Sequence, residues 1–184
     1  MGALRKEEHL PNYTYDDYVL WADEWELIDG IAYSMAPSPM KNHQSIASNF
    51  IYEIRDGMNE CLNCEVLGEL DWKVDESTVL RPDIVLICNE HNDKYLTKAP
   101  LIVVEIISKS TAKRDENYKF EIYEKEKVPY YIIAYPDDLK AKIFKLKDGK
   151  YDKQADMTNE LFRFTDIDCE VEINFNNIFK RFRK

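Results

Sequence analysis

Apolar residues return every fourth position within residues 43–60, as Ile46, Phe50, Ile54 and Met58, with Ala47 and Ile51 widening the stripe. That period predicts an amphipathic helix over the segment. Upstream, Thr14 followed three residues later by Asp17 has the form of a capping box and opens a short helix through Trp21. Apolar runs at 25–28 and 31–35 flank Asp29-Gly30, a connection that predicts a hairpin. Strands are predicted at 65–74, 80–88 and 101–107. The last two are nearly unbroken apolar runs, as in strands covered on both faces. Helical spacing returns at 113–127 through Tyr118, Ile122 and Tyr123, followed by strands at 130–134 and 142–146. Asp148-Gly149 marks another turn, 162–173 predicts edge strands, and 174–183 a short closing helix. This order predicts an α/β (α+β mixed-sheet) fold built around one sheet, with flanking helices and an N-terminal hairpin.

No repeat or linker interrupts the pattern, so residues 13–184 read as a single domain behind an N-terminal extension at 1–12. At 184 residues and 45% apolar, the chain can build a sizeable core and is not a disordered or low-complexity sequence. No apolar run approaches the roughly 20 residues that cross a bilayer. The charged segment at 1–10 also lacks the apolar stretch of a signal peptide, so a cytoplasmic protein with no membrane partner is expected.

The net charge of −10 excludes a protein that coats nucleic acid electrostatically, though not one that meets it at a single local site. The basic tail, Lys180-Arg181-Phe182-Arg183-Lys184, reads as a solvated helix end. Cys61-x-x-Cys64 has a metal-like spacing, but Cys88 and Cys169 supply no second pair of similar spacing. His9, His43 and His91 offer no paired ligand spacing either, so free thiols in a reducing compartment are expected.

Two acids stand where acids are costly. Glu105 interrupts Leu101-Ile102-Val103-Val104-Glu105-Ile106-Ile107, and burying an ionised carboxylate costs several kcal/mol unless something neutralises it. A salt-bridged structural glutamate is one reading; a metal ligand is the stronger one. Asp83, just after Pro82 at the start of an apolar run, is ordinary turn chemistry by itself and gains meaning beside Glu105. If the two strands lie alongside, both acids share one edge of the sheet, and two hard oxygen ligands with open positions suit Mg²⁺ or Mn²⁺. Asp115 and Lys119, four apart, are either a surface ion pair or part of that site.

The string Arg81-Pro82-Asp83-Ile84-Val85 followed by Val104-Glu105-Ile106-Ile107-Ser108-Lys109-Ser110-Thr111 resembles the Uma-type putative restriction endonuclease family, within the PD-(D/E)XK nuclease superfamily. Asp115, Lys119, Tyr123 and Val128-Pro129-Tyr130-Tyr131 follow in the family's order. Upstream, Trp25-Glu26-Leu27-Ile28-Asp29-Gly30, Met35-Ala36-Pro37-Ser38-Pro39 and His43 fit as well, so the resemblance runs from about Tyr13 to Pro136. It implies a restriction-endonuclease-like core with Asp83 and Glu105 as metal ligands. The superfamily's lysine two positions after the acid is Ile107 here, which leaves that residue only its backbone carbonyl for the metal. The resemblance moves the lysine to Lys119, with Glu26, His43 and Asp115 as supporting residues. Lys127, where the family usually has glycine, and Tyr135, where it usually has aspartate before proline, are departures outside the metal site.

The function implied is metal-dependent hydrolysis of DNA phosphodiester bonds by a homodimer, with Lys109, Lys113 and Arg114 as a local basic cluster for the substrate. The alternatives are a catalytically silent nucleic-acid-binding or regulatory module on a nuclease fold, and a hydrolase of RNA or another phosphate ester.

Overall fold

The computed structural model describes residues 11–35, 40–58, 61–107 and 114–183. Most of the expected N-terminal extension, residues 36–39, and Lys109 and Lys113 of the expected basic cluster lie outside them.

The Asp17 carboxylate accepts from the Thr14 N–H and hydroxyl at 2.8 and 2.9 Å and starts α1 (Tyr15–Tyr18). Strands β1 (Trp25–Ile28) and β2 (Ile31–Ser34) form the hairpin across Asp29 and Gly30. Their φ angles, 48° and 75°, are the left-handed pair for which Asp-Gly is suited. Helix α2 (Lys41–Gly57) buries Ile46, Phe50 and Ile54 as the period predicts. It stops short of residue 60 because Gly57 abuts the chain at Glu172: a Cβ there would run into the Glu172 carbonyl oxygen. Met58 then leaves the helix to bridge Val171.

Two expected strands are each divided. Residues 65–74 split into β3 (Cys64–Gly68) and β4 (Trp72–Asp75), and 80–88 into β5 (Thr78–Leu80) and β6 (Ile84–Cys88). Proline lacks the N–H a ladder needs, so at Arg81-Pro82-Asp83 the chain passes from one sheet to another. Strands β7 (Ile102–Ile106), β8 (Tyr130–Tyr135) and β9 (Lys140–Lys147) fall where expected. Strand β10 (Lys150–Met157) pairs with β9 through the Asp148-Gly149 turn and is too polar to announce itself. Strands β11 (Leu161–Phe164) and β12 (Val171–Asn174) precede α4 (Phe175–Phe179), where the Asn174 side chain accepts from the Asn176 N–H at 3.1 Å.

The expected mixed α+β class holds, but the strands form several sheets rather than one. Described strands make a six-stranded sheet ordered β10-β9-β8-β7-β6-β3, a four-stranded sheet ordered β2-β1-β5-β4, and a β11-β12 pair. In the six-stranded sheet β7 and β8 run parallel and the other neighbours antiparallel. Both faces are apolar because both are covered. Ile84, Leu86, Ile102, Val104 and Ile132 pack toward α2 and α4, whereas Val85, Ile87, Val103, Tyr131 and Ile133 pack with Trp72, Leu80 and Tyr123. A parallel pair needs a crossover, and the segment between β7 and β8 includes a π-helical turn (Arg114–Lys119) running into α3 (Phe120–Lys125).

The expectation of free thiols is corrected: Cys61 pairs with Cys169 and Cys64 with Cys88. The antiparallel β3–β6 register sets Cys64 opposite Cys88, a proximity that sequence spacing cannot express. No described helix is long and apolar enough to cross a membrane.

The loop between β6 and β7 is organised by Glu90, whose carboxylate accepts from the N–H groups of His91, Asn92 and Thr97 at 2.8–3.0 Å. Burial works against the charge, but these donors outweigh it and lower the pKa to about 2. A depressed carboxyl stabilises the fold above its unfolded value and loses that contribution as the pH falls toward 2. Glu90→Gln is therefore expected to lower the unfolding midpoint at neutral pH and to flatten the acid limb of the stability profile, both read by thermal melts across pH.

Candidate active site

The antiparallel register of β6 and β7 pairs Ile84 with Val104 and Val85 with Val103. Continued by one residue, it sets Asp83 opposite Glu105, so the two acids that the sequence separates by a loop meet on neighbouring strands. Asp83 Oδ2 accepts the Ile106 N–H at 2.6 Å, which ties the start of β6 to β7. Side chains alternate along a strand, so Glu105 shares the face of Val103. That face is covered by α3 and the four-stranded sheet, and Glu105 is 2% exposed.

What covers Glu105 is polar. Lys119 Nζ lies 2.8 Å from Glu105 Oε1, 2.7 Å from Glu26 Oε1 and 3.6 Å from Asp115 Oδ1. The Tyr123 hydroxyl donates to Glu105 Oε1 at 2.6 Å, and its ring stacks on Trp72. Asp115, Lys119 and Tyr123 follow one another at intervals of four and are all buried. The apolar face expected through Tyr118 is thus corrected: Tyr118 is 45% exposed, and the inward stripe carries charge. A π-helical turn of this kind is a recurrent feature of functional sites. The Asp115–Lys119 pair is buried and not a surface ion pair.

Glu26 reaches the cluster from β1. Its Oε1 also accepts the Arg81 N–H at 3.0 Å, which anchors the point where the chain changes sheets. Arg81 in turn holds Asp71 through Nε at 2.9 Å, and the Tyr18 hydroxyl donates to the same carboxylate.

Three almost fully buried acids, Glu26, Glu105 and Asp115, thus surround a single buried ammonium. Burial disfavours the charge on Lys119, yet Glu105, Glu26 and Asp115 together hold its pKa well above the ordinary lysine value. Burial pushes the Glu105 carboxyl well up, and Asp115, Asp83 and Glu26 push it further against the pull of Lys119. An excess of carboxylate oxygens over cations is the donor set that a hard divalent ion completes. Among the residues of this cluster, the donors fit such an ion.

Asp83 and His43 occupy the open side. His43 stands in the first turn of α2, with Nε2 3.3 Å from Asp83 Oδ2. Burial lowers its pKa, but the hydrogen bond and charge of Asp83, the charge of Glu69 and the Ile106 backbone raise it overall. A groove of about 340 Å³ passes over them, lined also by Gln44, Ala47, Gly68 and Glu69. Glu69 escapes sequence reasoning, since its signal is only an acid after a strand-ending glycine. Its φ of 52° and its N–H bond to the Asp83 carbonyl at 3.2 Å bring it to the groove.

Ile107 is placed differently from the other expected residues. Its N–H bonds the Ala134 carbonyl at 2.9 Å, on the β8 side, whereas the backbone beside Asp83 and His43 is that of Ile106. Adjacent residues of a strand turn their N–H and C=O groups to opposite neighbours, so the two residues cannot exchange places. Asp83, Glu105, Lys119, Glu26, Asp115 and His43 are brought together. The side chain of Arg114 lies outside what the structure describes.

No curated protein matches the sequence. Among solved structures, the fold is similar to that of a protein from Anabaena variabilis, described as a putative nuclease belonging to DUF820. The TM-score is 0.69 over 91% of this chain and 97% of the other, at 15% identity, which is a likeness of fold. A family model for Uma2, described as a putative restriction endonuclease, matches residues 15–167. That span contains every strand and acid of the cluster, and the chain belongs to the Uma2 family of restriction-endonuclease-like proteins.

Proposed function

We propose that this chain is an endonuclease that hydrolyses DNA phosphodiester bonds with Mg²⁺ or Mn²⁺ held by Asp83 and Glu105. The observation that carries the reading is the cross-strand placement of these two acids, with Asp83 lining a groove and Glu105 buried beside a lysine. Asp83 is the ligand on the groove side and Glu105 the one beneath it. The backbone position beside Asp83 supports the Ile106 carbonyl, rather than that of Ile107, as a third oxygen. When bound, the metal polarises the scissile phosphate and lowers the pKa of a bound water.

The chain's own residues do the positioning. Lys119, enclosed by Glu26 and Glu105, pulls the Glu105 carboxyl toward its charged form against burial and fixes its orientation, and its charge favours negative charge developing on the phosphate. Tyr123 restrains the same Glu105 oxygen through its hydroxyl. His43 holds a proton at Nε2 beside Asp83 in the groove, within reach of an attacking water or a leaving oxygen. Asp83 and Glu69 make the groove repel a phosphate until a cation is bound, so metal and substrate bind in that order. Cleavage of both strands calls for two copies of the site, which supports a homodimer on DNA.

Cleavage of supercoiled plasmid, single-stranded DNA and RNA tests this reading, with Mg²⁺ or Mn²⁺ and with chelator. Nicking of the plasmid that chelator abolishes is the expected result. Cleavage confined to RNA would replace the substrate, and no cleavage with either metal would favour the silent binding module.

A further inference from the structure

The cysteines lie away from the acid cluster, and they are the four that the sequence contains. They arrive from separate parts of the chain: Cys61 and Cys64 bracket a tight turn closed by the Cys64 N–H on the Cys61 carbonyl at 3.2 Å. Cys88 ends β6, and Cys169 lies in the turn before β12. Cys88 and Cys169 are buried, Cys61 and Cys64 half-buried. The Sγ atoms of Cys61, Cys64 and Cys169 lie within 4.8 Å of one another, and Cys88 is bonded to Cys64. The two pairs are therefore neighbours: three sulfurs share one locus, and the fourth, that of Cys88, is joined to it through Cys64.

Two independent disulfides have no need to touch. Four thiolates around one Zn²⁺ must: at a Zn–S distance of about 2.3 Å, tetrahedral geometry separates neighbouring sulfurs by about 3.8 Å. The Cys-x-x-Cys turn is the spacing with which short turns present two thiolates to one zinc. The second pair that sequence spacing lacks is supplied by the β3–β6 register and by the chain's return before β12. We infer that the reduced chain binds one Zn²⁺ through Cys61, Cys64, Cys88 and Cys169 as a structural tetrathiolate centre. The disulfide-paired arrangement is its oxidised, metal-free counterpart.

The conversion balances. Two external dithiols open the two disulfides, each passing on two electrons and two protons and leaving as a disulfide. Zn²⁺ then displaces four protons from the four thiols to solvent and leaves a centre of charge −2. The ion would tie together the end of α2, the β3–β6 edge and the β11–β12 pair, where Gly57 already meets Glu172. This inference does not depend on the nuclease reading.

The test is metal and thiol stoichiometry on wild-type protein made in a reducing host and purified without chelator. One zinc per chain, retained through gel filtration, and four thiols that react only after unfolding with chelator are expected. Co²⁺ exchanged into the wild type should give the intense visible bands of a tetrahedral thiolate complex. Cys88→Ser and Cys169→Ser should each weaken zinc binding by more than the about 10- to 100-fold that an outer-shell partner is worth. Cys88→His, which keeps a ligand, should retain the metal. A folded, reduced wild type without stoichiometric zinc overturns the inference. So does a chain that leaves the reducing host four hydrogens lighter, with both disulfides formed and no metal. Both deciding measurements are made on the wild type, so misfolding of a serine variant does not affect them.

Discussion

Asp83→Asn is expected to lower metal-dependent DNA cleavage by at least about a hundredfold, the scale on which losing one preorganised electrostatic partner of a transition state acts. The substitution is chosen because it separates the acid's two duties. Asp83 Oδ2 accepts the Ile106 N–H and so joins the start of β6 to β7. An asparagine oxygen can accept the same bond, so the strand junction and the unfolding midpoint should be nearly unchanged. What is lost is the negative charge beside the groove. Isothermal titration with Mn²⁺ should show affinity falling with the activity. Cleavage lost with Mn²⁺ affinity intact would assign Asp83 to substrate positioning, and unchanged cleavage would remove it from the site.

Lys119→Met has the opposite signature, a large effect on stability. Lys119 is 2% exposed, its ammonium held among Glu26, Glu105 and Asp115. Removing one partner of a buried ionic cluster leaves uncompensated charge and costs about 3 to 5 kcal/mol. For a domain of this size that is a fall of about 6 to 20 °C in unfolding midpoint. The pH dependence gives the cause away. Without Lys119, Glu105 has a folded pKa raised further above its unfolded value, so it destabilises the fold at neutral pH and ceases to as it protonates. The deficit of Lys119→Met should therefore shrink as the pH is lowered, whereas a packing defect would be insensitive to it. Adding Glu105→Gln should recover part of the loss, since it removes one of the stranded charges. A variant as stable as the wild type at neutral pH would mean that the three acids do not share a charge with Lys119.

The cluster also explains which parts of the molecule could be anticipated. Glu105 is conspicuous in sequence because a carboxylate inside an apolar run has no local explanation, and Asp83 because a proline places it at a strand end. Lys119 and Asp115 are not conspicuous, since i,i+4 pairs on solvated helices have the same spacing. Their burial is set by the crossover between β7 and β8, which lays the π-helical turn over the face carrying Glu105. The same crossover misleads the apolar count: Tyr118 fits a helical stripe, but the inward positions belong to Asp115, Lys119 and Tyr123.

Local rules determined what local physics controls. The Asp-Gly hairpins, the Thr14–Asp17 cap, the α2 stripe and the covered strands β6 and β7 follow from dihedral preference and period, and the ordered motifs carry the family. The tertiary structure decided the rest. It divided two expected strands between sheets at Arg81-Pro82-Asp83 and at the end of β3, brought Glu26 from β1 to Lys119, and set Asp83 opposite Glu105 by register. It also gathered Cys61, Cys64, Cys88 and Cys169 from distant positions into one locus. Each of these is a long-range pairing, and the free energy that selects it comes from burying whole faces of sheet and helix together. No window along the chain contains that quantity.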